Sequence, residues 1–257
     1  MQPSDAGGEA ERPARAASRP AFYAMRSGGW RDYVTLLHPP YTAWHLSYVA
    51  LGASVAPAVD GVRLAAAVVG FFLGVGVSAH AFDELAGRPL RTAIPDGVLR
   101  GLGWAGLVLA AALGVAGAAR VSWWLLAFVT AGVFFVLAYN LEAFGGRFHS
   151  DLWFAVTWGA FPALVGQFAQ SGRLTWPVAP VAAACLLLSA AQRQLSTPVR
   201  RLRRSVARVE GRLVLPDGSQ EPFDDRALRA APEAALRAMW LAVVLLAAGA
   251  VWFRLTA

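Results

Sequence analysis

Residues 62–91 have the sequence VRLAAAVVGFFLGVGVSAHAFDELAGRPLR, in which a long apolar run ends in a cluster of charged residues. An apolar helix of about 20 residues crosses the ~30 Å hydrocarbon core of a bilayer. Ionisable groups at membrane depth cost free energy and therefore indicate a functional site. In a helix, His80, Asp83 and Glu84 share one face, because they are three and four residues apart. The stretch predicts a membrane-spanning helix with a polar site at one end.

The composition extends this prediction to most of the chain. Hydrophobic residues make up 57% of the sequence and charged residues 15%, whereas soluble proteins have about 25% charged residues. Apolar segments of roughly membrane-spanning length recur along the chain. The predicted spans are Thr42–Ala58, Val62–Phe82, Leu99–Ala118, Val121–Tyr139, Leu152–Gln170, Trp176–Ala191 and Ala238–Leu255. Because backbone groups in lipid must bond to one another, we expect an all-α fold, a polytopic transmembrane bundle of about seven spans.

The polar segments divide the chain into four parts. They are a disordered cytoplasmic tail (1–29), a bundle of six spans (30–191), an Arg-rich cytoplasmic loop (192–237) and a last span (238–257). Within the loop, the segment Gly211-Arg-Leu-Val-Leu215 precedes the turn sequence Pro216-Asp217-Gly218. This pattern predicts a short β-hairpin.

The distribution of arginine predicts how the bundle is oriented. All 23 basic residues are Arg, and 19 of them fall in cytoplasmic segments if the N-terminus is cytoplasmic. Such asymmetry is typical of the positive-inside rule. We therefore expect a multi-pass protein of the cell membrane with a cytoplasmic N-terminus and with the charged cluster on the cytoplasmic side. Contact with anionic membrane lipids accounts for the net charge of +7, so no nucleic-acid partner is expected.

A second polar group follows the fourth predicted span. It consists of Tyr139, Asn140, Glu142, Arg147, His149 and Asp151. Two interpretations stay open for its acids and its histidine. Asp151 caps a helix while Glu142 and His149 are solvated in a loop, or all three face the first cluster across a shared cytoplasmic pocket.

Several motifs occur in a particular order along the chain. Leu37-His38-Pro39 precedes the first span, and the second span is followed by His80-Ala-Phe-Asp83-Glu84, Arg88-Pro89-Leu90 and Ile94-Pro95. The fourth span is followed by Tyr139-Asn140 and Arg147. The fifth span contains Gly159-Ala-Phe-Pro162-Ala-Leu-Val-Gly166 and is followed by Gly172. In this order, from about His38 to Arg193, the chain resembles the UbiA superfamily of intramembrane prenyltransferases.

The resemblance implies an activity and a set of site residues. The activity is transfer of an isoprenyl group from its diphosphate to a lipid or aromatic acceptor, with Mg²⁺ as cofactor. Asp83 and Glu84 would hold the metal, and His80 would be a third ligand or a proton carrier. The residues expected to bind the substrate are Arg88, Tyr139, Asn140, Arg147 and Arg193.

The sequence departs from the family at both acidic motifs and in the number of spans. The first motif lacks the family's leading Asn and Asp, and His80 is an unusual substitute there. Gln192-Arg193-Gln194 replaces the second aspartate-rich motif that the family carries after its sixth span, and seven spans replace the usual nine. Two functions therefore stay open. One is a Mg²⁺-dependent prenyltransferase in which the Arg193 guanidinium replaces part of the metal site. The other is a noncatalytic membrane protein of the same fold that binds a lipid, a quinone or a membrane partner.

Overall fold

The computed structural model describes residues 19–257, which form eight helices and one β-hairpin. The helices are α1 (Trp30–Leu36), α2 (Pro39–Ser54), α3 (Gly61–Leu85), α4 (Asp96–Ala118), α5 (Leu125–Asn140), α6 (Asp151–Ser171), α7 (Val178–Arg204) and α8 (Asp225–Thr256). The hairpin pairs β1 (Arg212–Val214) with β2 (Gln220–Pro222) in antiparallel register. The predicted helical bundle and the predicted hairpin are both confirmed.

Five of the helices, α3, α4, α6, α7 and α8, are long and apolar enough to cross a membrane. These helices identify the chain as a membrane protein. Each of the other two predicted spans also overlaps a helix, but α2 and α5 have only 16 residues apiece. At 1.5 Å per residue such a helix is about 24 Å long, which is shorter than the ~30 Å hydrocarbon core. The count of seven spans therefore stays a prediction.

The two largest groups of buried side chains lie in the two halves of the bundle. The first joins α2, α6, α7 and α8 and is built from Trp44, Tyr48, Ala163, Ala182, Cys185, Leu236 and Val243. The second joins α3, α4, α5 and α6 and is built from Val75, Ala79, Phe82, Leu107, Val136, Tyr139 and Trp158. Because α6 contributes to both groups, it connects the two halves of the bundle.

Small residues bring α2 and α6 into backbone contact. A Cβ atom added to Gly166 would overlap the carbonyl oxygen of Val49, and one added to Gly52 would overlap the carbonyl oxygen of Ala163. Small residues at helix interfaces allow this close approach, which compensates for the weak hydrophobic drive between helices in lipid. The α2–α6 contact therefore leaves no room for larger side chains.

Polar side chains fix where two of the long helices begin. The Asp60 carboxylate accepts hydrogen bonds from the backbone N–H groups of Val62 and Arg63 and so caps α3. At the start of α6 the capping residue is Ser150, whose hydroxyl accepts from the N–H of Trp153 at 3.3 Å. Asp151, which the sequence offered as a helix cap, instead occupies the first turn of α6.

Two helices contain wide, π-helical turns. They occupy Phe72–Ala79 within α3 and Val156–Ala160 within α6. Wide turns of this kind are frequent at functional sites. Val75 and Trp158 lie in these turns, and both belong to the group of buried side chains that joins α3 to α6.

The segment predicted as a long Arg-rich loop is largely helical. α7 continues through Arg204, and α8 already begins at Asp225, so only residues 205–224 lie outside helices. The salt bridge between Arg203 and Glu233 joins the two extensions at 2.6 Å. Both of these side chains are about nine-tenths buried.

Part of the predicted tail packs against the bundle. Residues 1–18 of that tail lie outside the described residues. Ala21 and Ala24 are buried beside Leu90. The carbonyl oxygen of Pro20 accepts a hydrogen bond from Arg204 at 3.2 Å, and the Arg237 guanidinium lies over the Phe22 ring. Residues 20–24 thus form an ordered cover on the polar end of the bundle.

Candidate functional site

A polar cavity of about 310 Å³ lies where α2, α3, α5, α6 and α7 meet beneath residues 20–23. All four histidines of the chain line it. Its polar and charged lining consists of Tyr23, His38, Tyr41, His45, His80, Asp83, Tyr139, Asn140, His149, Gln192, Arg193, Ser196, Arg200 and Arg204. We call this space the polar cavity.

Two of the four histidines form a stacked pair. The rings of His38 and His80 are 4.0 Å apart and nearly parallel. The Tyr23 hydroxyl lies 2.9 Å from His38 Nδ1. Burial lowers the pKa of His38 well below its ordinary value, and neighbouring His80 acts in the same direction. Burial likewise raises the pKa of the Tyr23 phenol well above its ordinary value, so both groups are neutral at pH 7.

Hydrogen bonds to backbone carbonyl oxygens fix the tautomers of His45, His80 and His149. Nδ1 of His45 lies 2.7 Å from the carbonyl oxygen of Trp158. Nδ1 of His80 lies 3.2 Å from that of Gly76, and Nδ1 of His149 lies 3.0 Å from that of Tyr139. A carbonyl only accepts, so Nδ1 carries the proton in each ring. In the neutral form, Nε2 of each histidine is therefore a proton acceptor.

Three arginines of α7 give the polar cavity its positive charge. Arg193 forms a salt bridge to Asp151 at 2.8 Å and lies over the Phe154 ring. Arg200 donates to Thr197, and Arg204 donates to the carbonyl oxygen of Pro20. Each of these three hydrogen bonds uses one N–H, whereas a guanidinium has five to donate. Further donors thus remain for a bound anion.

Three buried atoms of the lining have no hydrogen-bond partner. They are Nε2 of His38, the hydroxyl of Tyr139 and Oε1 of Gln192. Their residues are exposed by only 9%, 6% and 3%. Buried polar atoms are normally paired, since leaving one unpaired costs about 1–3 kcal/mol. These atoms indicate that the polar cavity is built to hold a polar group.

The structure brings together five of the eight residues that the sequence nominated for the site. His80, Asp83, Tyr139, Asn140 and Arg193 all line the polar cavity, although they come from three helices. His149 joins them, as the shared-pocket interpretation expects, whereas Glu142 and Asp151, the other two residues of that interpretation, do not line the polar cavity. The remaining three, Glu84, Arg88 and Arg147, do not line it.

Glu84 instead organises the loop that follows α3. It is fully buried, and its two carboxylate oxygens accept hydrogen bonds at 2.9 Å from the N–H of Leu90 and from both the N–H and the hydroxyl of Thr92. The sequence places it on the same helical face as His80 and Asp83. α3 ends at Leu85, however, and the returning loop encloses this side chain.

The two other arginines are also directed elsewhere. Arg88 has a positive φ of 55° and donates to the carbonyl oxygens of Thr92 and Ile94, and it pairs with Asp96. It therefore stabilises the same loop as Glu84. Arg147 is exposed in the connection between α5 and α6, as is Glu142.

The donor set does not match a site for a protein-bound metal ion. Among residues 19–257, no three His, Cys, Asp or Glu side chains are grouped to hold a metal. The predicted pair Asp83 and Glu84 does not converge, because Glu84 already accepts three hydrogen bonds from the loop. Within residues 19–257, Asp83 is the one acidic side chain that lines the polar cavity. The expected Mg²⁺ site at these two residues is thus not supported by their placement.

Sequence reasoning missed several residues of the lining. The sequence places His38 in a motif but gives it no role at the site, and His45 lies inside an apolar run, where a polar residue is itself a signal. Arg200 and Arg204 belong to an arginine run that the sequence places in a loop, either as an anchor for lipid headgroups or as a gate for an anionic substrate. Their spacing of four residues, and of seven from Arg193 to Arg200, would place all three on one helical face if α7 were extended.

An apolar groove adjoins the polar cavity. It has a volume of about 240 Å³ and lies between α3, α4, α5 and α6. Its far end is lined by Arg63 and Arg120. Val75 and Trp158, both in wide helical turns, line the groove and the polar cavity at once. A polar compartment and an apolar compartment therefore share a wall.

Comparison with known proteins finds no matching family model, no matching curated protein and no matching solved structure. The resemblance to the UbiA superfamily thus remains an expectation from the motifs.

Proposed function

We propose that this chain is a UbiA-like prenyltransferase of the cell membrane, with its N-terminus and polar cavity on the cytoplasmic side. It would bind an isoprenyl diphosphate and transfer the isoprenyl group to a lipid or aromatic acceptor. The observation that carries the proposal is the wall shared by the polar cavity and the apolar groove. A ligand with an anionic head and a long apolar tail fits this pair of compartments.

The arginines of the polar cavity suit the diphosphate head. Guanidinium groups bind phosphate oxygens through paired, charge-assisted hydrogen bonds. Arg193, Arg200 and Arg204 outnumber the single acid in the lining, Asp83. In transfer, the bond between C1 of the isoprenyl chain and the diphosphate oxygen breaks, and its electron pair leaves with the diphosphate. Positive groups that neutralise this developing charge lower the barrier.

The histidines suit the acceptor side of the reaction. The acceptor atom forms a bond to C1 and must lose its proton. A neutral imidazole with a free Nε2 accepts such a proton near pH 7. His80 has this tautomer, because its Nδ1 proton faces the carbonyl oxygen of Gly76. We therefore assign to His80 the role of proton acceptor rather than that of metal ligand.

The second candidate function is binding without transfer. It is favoured because Asp83 is the only acid that the described part of the chain contributes to the lining, whereas the family that the motifs resemble relies on two acid clusters. In this alternative the same head and tail compartments would hold a lipid or a quinone, or a membrane partner would cover them.

The test is a comparison of three ligands against the purified chain in detergent. Farnesyl diphosphate has both head and tail, farnesol has only the tail, and inorganic diphosphate has only the head. We expect the complete amphiphile to bind at least about tenfold more tightly than either part. Equal affinity for farnesol and farnesyl diphosphate would contradict a site that recognises the anionic head.

Release of inorganic diphosphate then separates the two candidate functions. Wild type incubated with farnesyl diphosphate and phenolic or lipid acceptors should release diphosphate and form a prenylated product. His80→Gln should retain binding and lose about 10²-fold or more of the rate, the range for a general base. Binding by wild type without release for any acceptor favours the noncatalytic alternative.

A further inference from the structure

We propose that arginines of α7 hold the diphosphate head directly, without a divalent metal ion. The inference rests on the proposed function and deepens it, since it concerns how the same site recognises its ligand. It departs from the metal-based binding that the motif resemblance implies.

The arginines form a single stripe along α7. Arg200 and Arg204 follow Arg193 by seven and eleven residues, which places all three within an arc of about 40° around a helix of 3.6 residues per turn. All three line the polar cavity and are half-buried. Arg201, on the same helix, is exposed and does not line the polar cavity. α7 thus presents one face of cations to the ligand space.

The stripe is held in place before any ligand arrives. Arg193 is fixed between Asp151 and the Phe154 ring. Arg204 is tied to the carbonyl oxygen of Pro20 in the segment that covers the polar cavity. Since a preorganised side chain loses less entropy when a ligand binds, these contacts favour tight anion binding.

Neutral groups opposite the stripe supply an independent sign of a ligand. The Tyr139 hydroxyl and Nε2 of His38 are buried and unpaired, and both residues line the polar cavity. A phenolic hydroxyl donates readily to a phosphate oxygen. A diphosphate would therefore satisfy Tyr139 as well as the guanidinium groups.

The placement of the acidic side chains argues against a metal ion at this site. The expected metal site needs the carboxylates of both Asp83 and Glu84. Glu84, however, is fully buried beneath the loop that follows α3, and its carboxylate accepts three hydrogen bonds. Among the described residues, this leaves Asp83 as the sole carboxylate of the lining. Guanidinium groups neutralise phosphate without a metal and bind it in bidentate geometry. A second acid cluster would supply positive charge by binding a metal ion. The arginines of α7 already supply that positive charge.

The experiment titrates farnesyl diphosphate into the purified full chain, once with EDTA and once with millimolar Mg²⁺. Binding is followed by calorimetry, so no turnover is required. We expect the two dissociation constants to agree within about threefold. Arg200→Gln should weaken binding about tenfold or more in both buffers, as expected for loss of a charged hydrogen bond. Arg201→Gln, which removes the same charge from the exposed face, should bind like wild type.

Each outcome has a distinct meaning. Tenfold or greater tightening by Mg²⁺ would overturn the metal-free site and leave the proposed function standing. Wild-type affinity in Arg193→Gln, Arg200→Gln and Arg204→Gln alike would also overturn it. Failure of wild type to bind in either buffer would instead overturn the proposed function. Thermal unfolding of each variant establishes that a lost affinity does not come from a lost fold.

Discussion

The α2–α6 contact and the apolar groove both depend on glycine, but with opposite results. In the α2–α6 contact, Gly52 and Gly166 let two helix backbones touch, and no space remains. In the groove, Gly70 and Gly74 face side chains at ordinary distance, and the space next to them stays open. The two cases differ in which atoms of the neighbouring helix face the glycine. Glycine in contact with a backbone closes an interface, whereas glycine that faces side chains at ordinary van der Waals distance leaves a site.

Gly166, like Gly52, is a sensitive position in this comparison. We expect Gly166→Ala to destabilise the protein by about 3 kcal/mol, the upper end of the range for overpacking, because the added methyl group meets the backbone of Val49. The melting temperature in detergent should fall by about 6–12 °C.

Gly70→Ala is the matched control, since its methyl group would lie 3.7 Å from a Leu113 side-chain carbon. Alanine is the better helix former by about 1 kcal/mol, so this variant should be neutral or slightly stabilised. Equal losses in the two variants would remove the distinction between closed contact and open groove.

The same contrast between filled and open space separates two neighbouring acids. Glu84 lies in filled space with three hydrogen bonds, while Asp83 lines the polar cavity. We expect Glu84→Gln to cost about 2 kcal/mol of stability, because an amide group replaces a carboxylate that accepts from buried N–H groups. Chemical unfolding in detergent measures this loss.

Asp83→Asn should change stability by less than Glu84→Gln does. If instead Asp83→Asn is the more destabilising of the two, the assignment of Glu84 to structure and Asp83 to the site is reversed.

The smallest expected effect concerns the groove itself. A leucine side chain at Gly74 would occupy the space between α3 and α4, beside Ala110. We expect Gly74→Leu to weaken the binding of farnesyl diphosphate about tenfold, because the leucine would displace two methylene groups of the farnesyl tail from the groove. Losing the burial of two methylene groups costs about 1.6 kcal/mol. Inorganic diphosphate, which has no tail, should bind this variant and wild type equally. A parallel loss for both ligands would mean that the groove does not hold the tail.

Much of the architecture was readable from local sequence. Runs of apolar residues predict helices in lipid because the backbone has no other partner there, and each predicted span overlaps a helix. The hairpin at Arg212–Pro222 follows from its turn residues. His80 and Asp83 could be nominated for the site because they lie at the end of an apolar run.

Only the tertiary structure decided which nominated residues meet. Arg193 and Asp151 pair across 42 residues of sequence, and Arg204 and Pro20 across 184. Such contacts depend on how the helices pack, and the local periodicity of the sequence does not encode that packing. Glu84 illustrates the limit, since helical spacing assigns it to the face of Asp83 but the end of α3 turns the chain back over it. The sequence by itself therefore determined the helices and the residue types of the site, and packing decided which of those residues share the polar cavity.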